Sequence, residues 1–358
     1  MTSQLVAGLL NRGHDVDLIS LSIDERDHGV FEGDRLRVVV GPLRERRRWV
    51  DGFRVERDFV SRSVTDSKPD VVQAMWTYEF ALGSIASGLP TVVSIQDWGP
   101  TIFRLRPDHY RIVRAAMQVR ALRKKARFVA NSPYLAVRAQ RITRSEVDVI
   151  PNGTDFPEVA PDPDRSGTSP AVVLSVANGF GRRKNVKRLL EAFPMIRAKH
   201  AGVVLRLIGD DFQSGGPAEA WAASRGLSHG VEFVGPQPAS AVRDALASAA
   251  VLAHASLEES FGVVLVEAAA VGTPVVAGES SGAVPWVLNG GSSGRLVDVT
   301  SPSSIAAAVS ELLGDPRSAA DLALRAFDEC SHRFSIEGMI DSYEGVYVKT
   351  LEEQTGRS

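Results

Sequence analysis

Cysteine is nearly absent from this sequence: Cys330 is the single one in 358 residues. One thiol cannot form an internal disulfide or a cysteine-based metal centre, and a reducing cytosol is the compartment it suits. Long apolar runs are missing too. No stretch reaches the ~18 residues that a membrane-spanning helix requires, so no span is expected. Histidine is sparse, and His14, His28, His109, His200, His229, His254 and His332 are scattered without the spacing of metal ligands. The opening MTSQLVAGLLNRGHD has neither a basic leader nor a small-residue cleavage site, so it does not read as a secretory signal. No G-x-x-x-x-G-K-[ST] loop occurs, which excludes a Walker-type phosphate site.

The length suits two domains of ~100–200 residues each. A composition of 44% apolar and 23% charged residues is that of a folded globular chain, not a disordered or fibrous one. The net charge of −2 conceals an uneven distribution, with 22 Lys and Arg against 9 Asp and Glu between Arg35 and Arg144. Such a basic block either meets a polyanionic partner or forms solvated helix faces.

Short Val/Ile/Leu runs alternate with helical stretches. Candidate strands are Val16–Leu21, Leu36–Val40, Val71–Met75, Thr91–Ile95, Phe128–Ala130 and Val147–Ile150, then Ala171–Val176, Val203–Ile208, Val231–Val234, Ala250–Ala253, Pro274–Ala277 and Gly294–Val297. Several are apolar on both faces, as buried parallel strands are, and the alternation predicts an α/β architecture of two doubly wound domains. Residues 151–170, PNGTDFPEVAPDPDRSGTSP, carry five prolines and mark the linker. The expected domains are 1–150, 171–333 and a returning C-terminal helix, 334–358, with ligand in the cleft. Residues 1–12 read as a helix, with Gly13 closing it. A doubly wound domain opens with a strand, so the first strand and its loop are expected to be missing here. A start codon placed too late or a fragment would give that pattern, and so would a domain that begins with a helix.

Two stretches carry chemistry. In LSVANGFGRRKNVKRLLEAF (174–193), an apolar strand runs into a loop with Asn178, Gly179 and Gly181. Arg182, Arg183 and Lys184 follow, and then an amphipathic helix. Glycines admit a ligand close to the backbone, a helix start supplies free N–H groups, and three cations there make an anion site, most simply for a diphosphate. The third glycine of a dinucleotide fingerprint is absent. In LAHASLEESFGVVLVEAAAVGTPVV (252–276), Glu259 and Glu267 stand eight apart. A helix is expected from Ser260 to Val271, with Glu259 at its N-cap edge and Glu267 about two turns on. Paired carboxylates suit sugar hydroxyls, although Glu259 as a simple cap and Glu267 as a surface carboxylate fit as well. His254, at a strand end just ahead, either lines the cleft or merely closes the strand. Asp15-Val16-Asp17 has the look of a metal-binding D-x-D but no further ligand nearby, and reads as structural.

Together these residues resemble the retaining nucleotide-sugar glycosyltransferases of the GT-B fold, family 4. The likeness rests on Glu259-Ser260-Phe261-Gly262-Val263-Val264-Leu265-Val266-Glu267 as the E-x7-E element and on Gly272-Thr273-Pro274-Val275-Val276 after it. Ile150-Pro151-Asn152-Gly153, Ile208-Gly209-Asp210, Phe233-Val234-Gly235, Gly282-Ala283-Val284-Pro285 and the C-terminal Arg333-Phe334-Ser335 also match. It covers nearly the whole chain and is strongest from 147 to 300. The resemblance implies that Lys184 and Arg183 bind a donor diphosphate, with Asn178, Gly179, Gly181, Arg182 and Phe233 nearby, and that Glu267 binds the ribose. It implies that Glu259, with the N–H groups of Phe261 and Gly262, orients the transferred sugar, and that Ser260 and Val263 stand among the donor-binding residues. No metal and no cofactor are implied beyond a UDP- or GDP-type sugar donor, because the cations stabilise the leaving diphosphate.

The sequence departs from the family pattern where Asn178 replaces an arginine, and where Gln73 and Gln96 replace histidines. Glutamine hydrogen-bonds a sugar but does not shuttle a proton. Gln96, Asp97 and Trp98 are placed on the acceptor side. The implied partner is a glycan or lipid-linked acceptor. The cations from Arg104 to Arg127 suit peripheral contact with the inner face of an anionic membrane, and no nucleic-acid motif appears. The expected activity is a metal-independent, retaining glycosyl transfer in the cytoplasm. A non-catalytic sugar-nucleotide-binding subunit is the alternative, as is an epimerase or phosphorylase on the same fold.

Overall fold

A computed structural model describes residues 1–162 and 170–355. Pro163 and the rest of the expected linker up to Thr168 and Ser169 lie outside the described residues. The chain divides into two compact units, Met1–Gly153 with Ile336–Ser358, and Thr154–Ser335.

The first unit runs α1 (Thr2–Asn11), β1 (Val16–Ser22), β2 (Gly29–Glu32), β3 (Leu36–Pro42), α2 (Arg54–Ser67), β4 (Val72–Met75), α3 (Glu79–Ala86), β5 (Thr91–Ile95), α4 (Gly99–Leu105), α5 (His109–Leu122), β6 (Arg127–Ala130), α6 (Pro133–Gln140) and β7 (Val147–Val149). Its strands form a parallel sheet in the order β4-β5-β6-β7 and a three-stranded sheet in the order β1-β3-β2, in which β2 is antiparallel. Thr91-Val92-Val93-Ser94-Ile95 is buried along its whole length because β5 is central and covered on both faces. Helix α2 packs over both sheets: Val60 and Val64 cluster with Ile19 of β1 and Val72 of β4. Each of β1 and β4 has one edge that pairs with no strand among the described residues.

The second unit runs β8 (Val172–Val176), α7 (Val186–Lys199), β9 (Val204–Ile208), α8 (Pro217–Ala223), β10 (Val231–Gly235), α9 (Ala239–Ser248), β11 (Val251–His254), α10 (Val263–Ala270), β12 (Val275–Gly278), α11 (Val284–Val287), β13 (Arg295–Val297), α12 (Pro302–Gly314) and α13 (Pro316–Arg333). Its six strands are all parallel, in the order β10-β9-β8-β11-β12-β13. One core face is built on Leu189, Phe193, Leu205 and Phe212, the other on Leu174, Leu252, Phe261 and Leu265. The last helix, α14 (Ile336–Thr355), belongs to the first unit. There Ile340, Tyr343 and Tyr347 pack with Leu5 of α1 and with Val92 and Val129.

The division falls at Gly153/Thr154, near the start of the proline-rich stretch, and at Ser335/Ile336. Thr154 N–H donates to Phe334 O at 2.8 Å, and Phe156 packs edge-on against Phe327 at 5.7 Å. From Thr154 onward the proline-rich stretch is thus part of the second unit.

Candidate functional site

The glycine-cation loop leaves the carboxyl end of β8 and is tied down by the loop after β9. Gly179 N–H donates to Asp210 O at 3.1 Å and Phe180 N–H to Asp211 Oδ2 at 3.0 Å. Gly209 makes this possible: its φ is +128° and a Cβ there would lie 1.9 Å from Ala177 O, so only glycine fits. Asn185, left-handed at φ 55°, ends the loop and caps α7. Its Nδ2 donates to Ala255 O at 3.1 Å and Val299 O at 2.8 Å, which fixes the start of α7 against the loops after β11 and β13.

Those anchors bring the two motif stretches together. Lys184 Nζ lies 2.6 Å from Glu259 Oε1, and Arg183 Nη1 is 3.8 Å from Glu259 Oε2 and 4.0 Å from Glu258 Oε2. His254 Nε2 approaches Glu259 Oε1 at 3.2 Å. Glu259 is buried at 8% exposure. Burial alone would raise its carboxyl pKa, but His254, Lys184 and Arg183 outweigh burial and hold it well below the usual carboxylate range. The loop after β12 clamps its backbone: Ala283 N–H donates to Glu259 O at 2.9 Å, and Glu259 N–H donates to Ser281 O at 3.3 Å. Glu267 stands half-buried on α10, and burial raises its carboxyl pKa.

The expected helix start at Ser260 is corrected. Helix α10 begins at Val263, with Gly262 as its N-cap at φ 91° and no side-chain cap. The left-handed turn at Gly262 interrupts the helix that the apolar spacing suggested, so Glu259 is no helix cap. Phe261 is buried against Trp286 and Phe334. Phe233 is half-buried and packs against the core rather than projecting from it. Asn178, Arg182 and Gly181 are exposed.

Gln96, Asp97 and Trp98 follow β5 in the first unit. Gln96 Oε1 accepts from Asn131 Nδ2 at 3.0 Å, Asp97 Oδ1 accepts from Tyr78 Oη at 2.6 Å, and Trp98 is buried. Buried Gln118 joins the group, with its Nε2 donating to Thr77 Oγ1 and Asp97 O and its Oε1 accepting from Gly99 N–H. Arg114 stacks on the Tyr78 ring at 3.5 Å and pairs with Glu79. Tyr78 and Gln118 were not picked out from the sequence, because residues 19 to 41 positions apart give no local signal, and Arg114 was read only as one cation of the basic stretch. Glu258, Asn185 and Ser256 were also missed; the bend after β11 that gathers them has no periodicity. Among the described residues no three His, Cys, Asp or Glu side chains converge as a metal site requires, and no helix is long and apolar enough to cross a membrane.

Comparison with known proteins bears on this arrangement. Residues 160–328 match the model of glycosyl transferases group 1, and residues 1–156 match that of glycosyltransferase family 4. The chain is 32% identical over 226 residues to the GDP-mannose-dependent alpha-(1-6)-phosphatidylinositol monomannoside mannosyltransferase of Mycolicibacterium smegmatis, covering 55% of this chain and 58% of that one. It is 30% identical over 256 residues to the lipopolysaccharide core biosynthesis glycosyltransferase LpsE of Rhizobium meliloti, covering 69% and 73%. Sucrose-phosphate synthase of Thermosynechococcus elongatus has the same fold, with a TM-score of 0.83 at 19% identity over 98% of this chain and 93% of that one. The aligned region spans little more than half the length of the mannosyltransferase. Two doubly wound units, one carrying a cation-flanked glycine loop, define the GT-B class of fold. The chain belongs to the group 1, family 4 glycosyltransferases.

Proposed function

We propose that this protein transfers a sugar from a nucleoside-diphosphate donor to a lipid-linked glycan acceptor, with retention of configuration and no resident metal. The observation that carries the reading is the Lys184–Glu259 pair at 2.6 Å, with Arg183 beside it, at the start of α7. In this reading the second unit holds the donor. Lys184 and Arg183 bind the diphosphate and stabilise the charge that grows on it as the C1–oxygen bond breaks. The positive end of α7 adds to that field. Glu259 accepts from hydroxyls of the transferred sugar, and Glu267 from the ribose. The acceptor oxygen bonds to C1 from the face the diphosphate leaves, and its proton passes to the departing phosphate oxygen.

The acceptor is assigned to the first unit, where Gln96 stands at the carboxyl end of β5. Two of the similar relatives are named for lipid-borne substrates, which supports a lipid-linked acceptor; others are named D-inositol 3-phosphate glycosyltransferase, and a small-molecule acceptor is the second to test. A groove of about 600 Å³ on α4 and α5 supports peripheral contact with anionic lipid. Its lining combines Pro100, Ile112 and Val119 with Arg120, Arg123 and Lys124. GDP-mannose, named in one relative, is the first donor to test, and UDP-glucose the second. The test is transfer of labelled sugar from either donor to extracted membrane lipids. Product that forms with the wild type and is lost in Lys184→Ala and Glu259→Ala supports the reading. Full transfer in both variants refutes it, and donor binding without any transfer favours a non-catalytic binding subunit.

A further inference from the structure

His254 closes β11 with 4% exposure, in the interior of the second unit. Its Nε2 lies 3.2 Å from Glu259 Oε1, yet it has no aligned hydrogen-bond partner among the described residues. The same Oε1 accepts from Lys184 at 2.6 Å, whereas Oε2 has only Arg183, at 3.8 Å, as its nearest cation. The charged group at the imidazole is therefore Glu259, which in turn faces Lys184 and Arg183, with Glu258 4.0 Å from Arg183. In the reading proposed above, Lys184 has a second task, because an arriving diphosphate competes with Glu259 for its ammonium. A carboxylate as buried as Glu259 cannot lose its partner without a large cost.

We propose that His254 is a positioning residue that takes over Glu259 Oε1 when Lys184 turns to the diphosphate. The imidazole Nε2–H is already within reach, and a small rotation aligns it. Oε1 then stays held from behind, and Oε2 is the oxygen that accepts from the sugar hydroxyl. The pairing of His254 with Glu259 is a property of the folded chain, and its use in transfer rests on the proposed function.

The test has two arms on the full chain. Imidazole NMR of His254, compared between wild type and Glu259→Gln, reads the pairing without any assay of transfer. A His254 resonance that moves in Glu259→Gln, and moves again when GDP or UDP is added to the wild type, supports the handover. A resonance indifferent to both overturns it. The second arm compares His254→Leu with His254→Gln, whose amide nitrogen can replace Nε2 as donor. His254→Leu is expected to lower kcat by about 100-fold, the scale of a misplaced catalytic group, with little change in donor KM, and His254→Gln to restore most of it. Equal loss in both variants, or loss in neither, contradicts the positioning role. Coupled resonances in a chain that transfers nothing would leave the pairing standing and refute the transferase reading; active transfer with uncoupled resonances would do the reverse.

Discussion

Lys184 Nζ and Glu259 Oε1 are 2.6 Å apart although 75 residues separate them in sequence, and Asn185, the next residue after the lysine, fixes that meeting by donating to Ala255 O. The pair is mostly buried, with side-chain exposures of 14% and 10%. Removing one partner therefore leaves the other charge uncompensated. Lys184→Ala is expected to cost about 3 kcal/mol of stability, and Lys184→Met with Glu259→Leu together less than the sum of the two single changes. Urea unfolding of the four proteins measures the coupling; strict additivity would contradict it.

The same pair sets an acid dependence. Glu259 in the folded chain titrates well below its ordinary value of 4.5. Its contribution to stability is thus fully present above that value and is lost as pH falls toward the folded-state pKa. Glu259→Gln should flatten the acid limb of unfolding free energy against pH, even though it is the less stable protein at neutrality. An unchanged limb would show that other carboxylates carry it.

Glu267 behaves oppositely. Burial raises its pKa, so the folded chain favours the protonated form, and stability present at low pH is lost as pH rises through the folded-state value. Glu267→Gln is expected to raise Tm at pH 8 and to change it little at pH 4. A stabilised but less active variant would mark a carboxylate retained for function at the expense of stability.

Gly209 is the fourth test. With φ at +128° and Ala177 O 1.9 Å from any added Cβ, Gly209→Ala should lose about 2 kcal/mol or more. Hydrogen exchange should quicken at Gly179 and Phe180, whose N–H groups donate to Asp210 and Asp211. Protection that survives there would mean the loop is held by other contacts.

In the first unit, Gln118→Leu removes the partner of Thr77 Oγ1, Asp97 O and Gly99 N–H at one stroke. Leaving such buried groups unpaired should cost about 3 kcal/mol, read by urea unfolding, whereas Gln118→Glu should retain the bond from Gly99.

The α/β layering was legible because strands such as Thr91–Ile95 and Val172–Val176 are apolar on both faces and lie between helical periods. Strand β2 was not, since Val30 and Phe31 are about half exposed and flanked by Gly29 and Glu32, so no alternation announces it. Lys184, Arg183 and Glu259 stood out because cations beside glycines and a carboxylate before an apolar helix have a chemical reading in one dimension. His254 could be suspected from its strand-end position alone. Its approach to Glu259 depends on the bend at Ala255–Glu258, and the helix start slipped from Ser260 to Val263 because Gly262 turns left-handed. The group of Tyr78, Asp97 and Gln118 depends on strand order, which sequence spacing does not encode.

The central claim is that the loop from Gly179 to Lys184 is a diphosphate site, and titration calorimetry tests it most directly. GDP-mannose, UDP-glucose and NAD would be titrated into the wild type and Lys184→Ala. The account predicts that one nucleoside-diphosphate sugar binds, that NAD does not, and that Lys184→Ala weakens the affinity by about 10- to 100-fold, the worth of one charged hydrogen bond. Equal affinity in the two proteins, or no binding of either sugar donor, would contradict it.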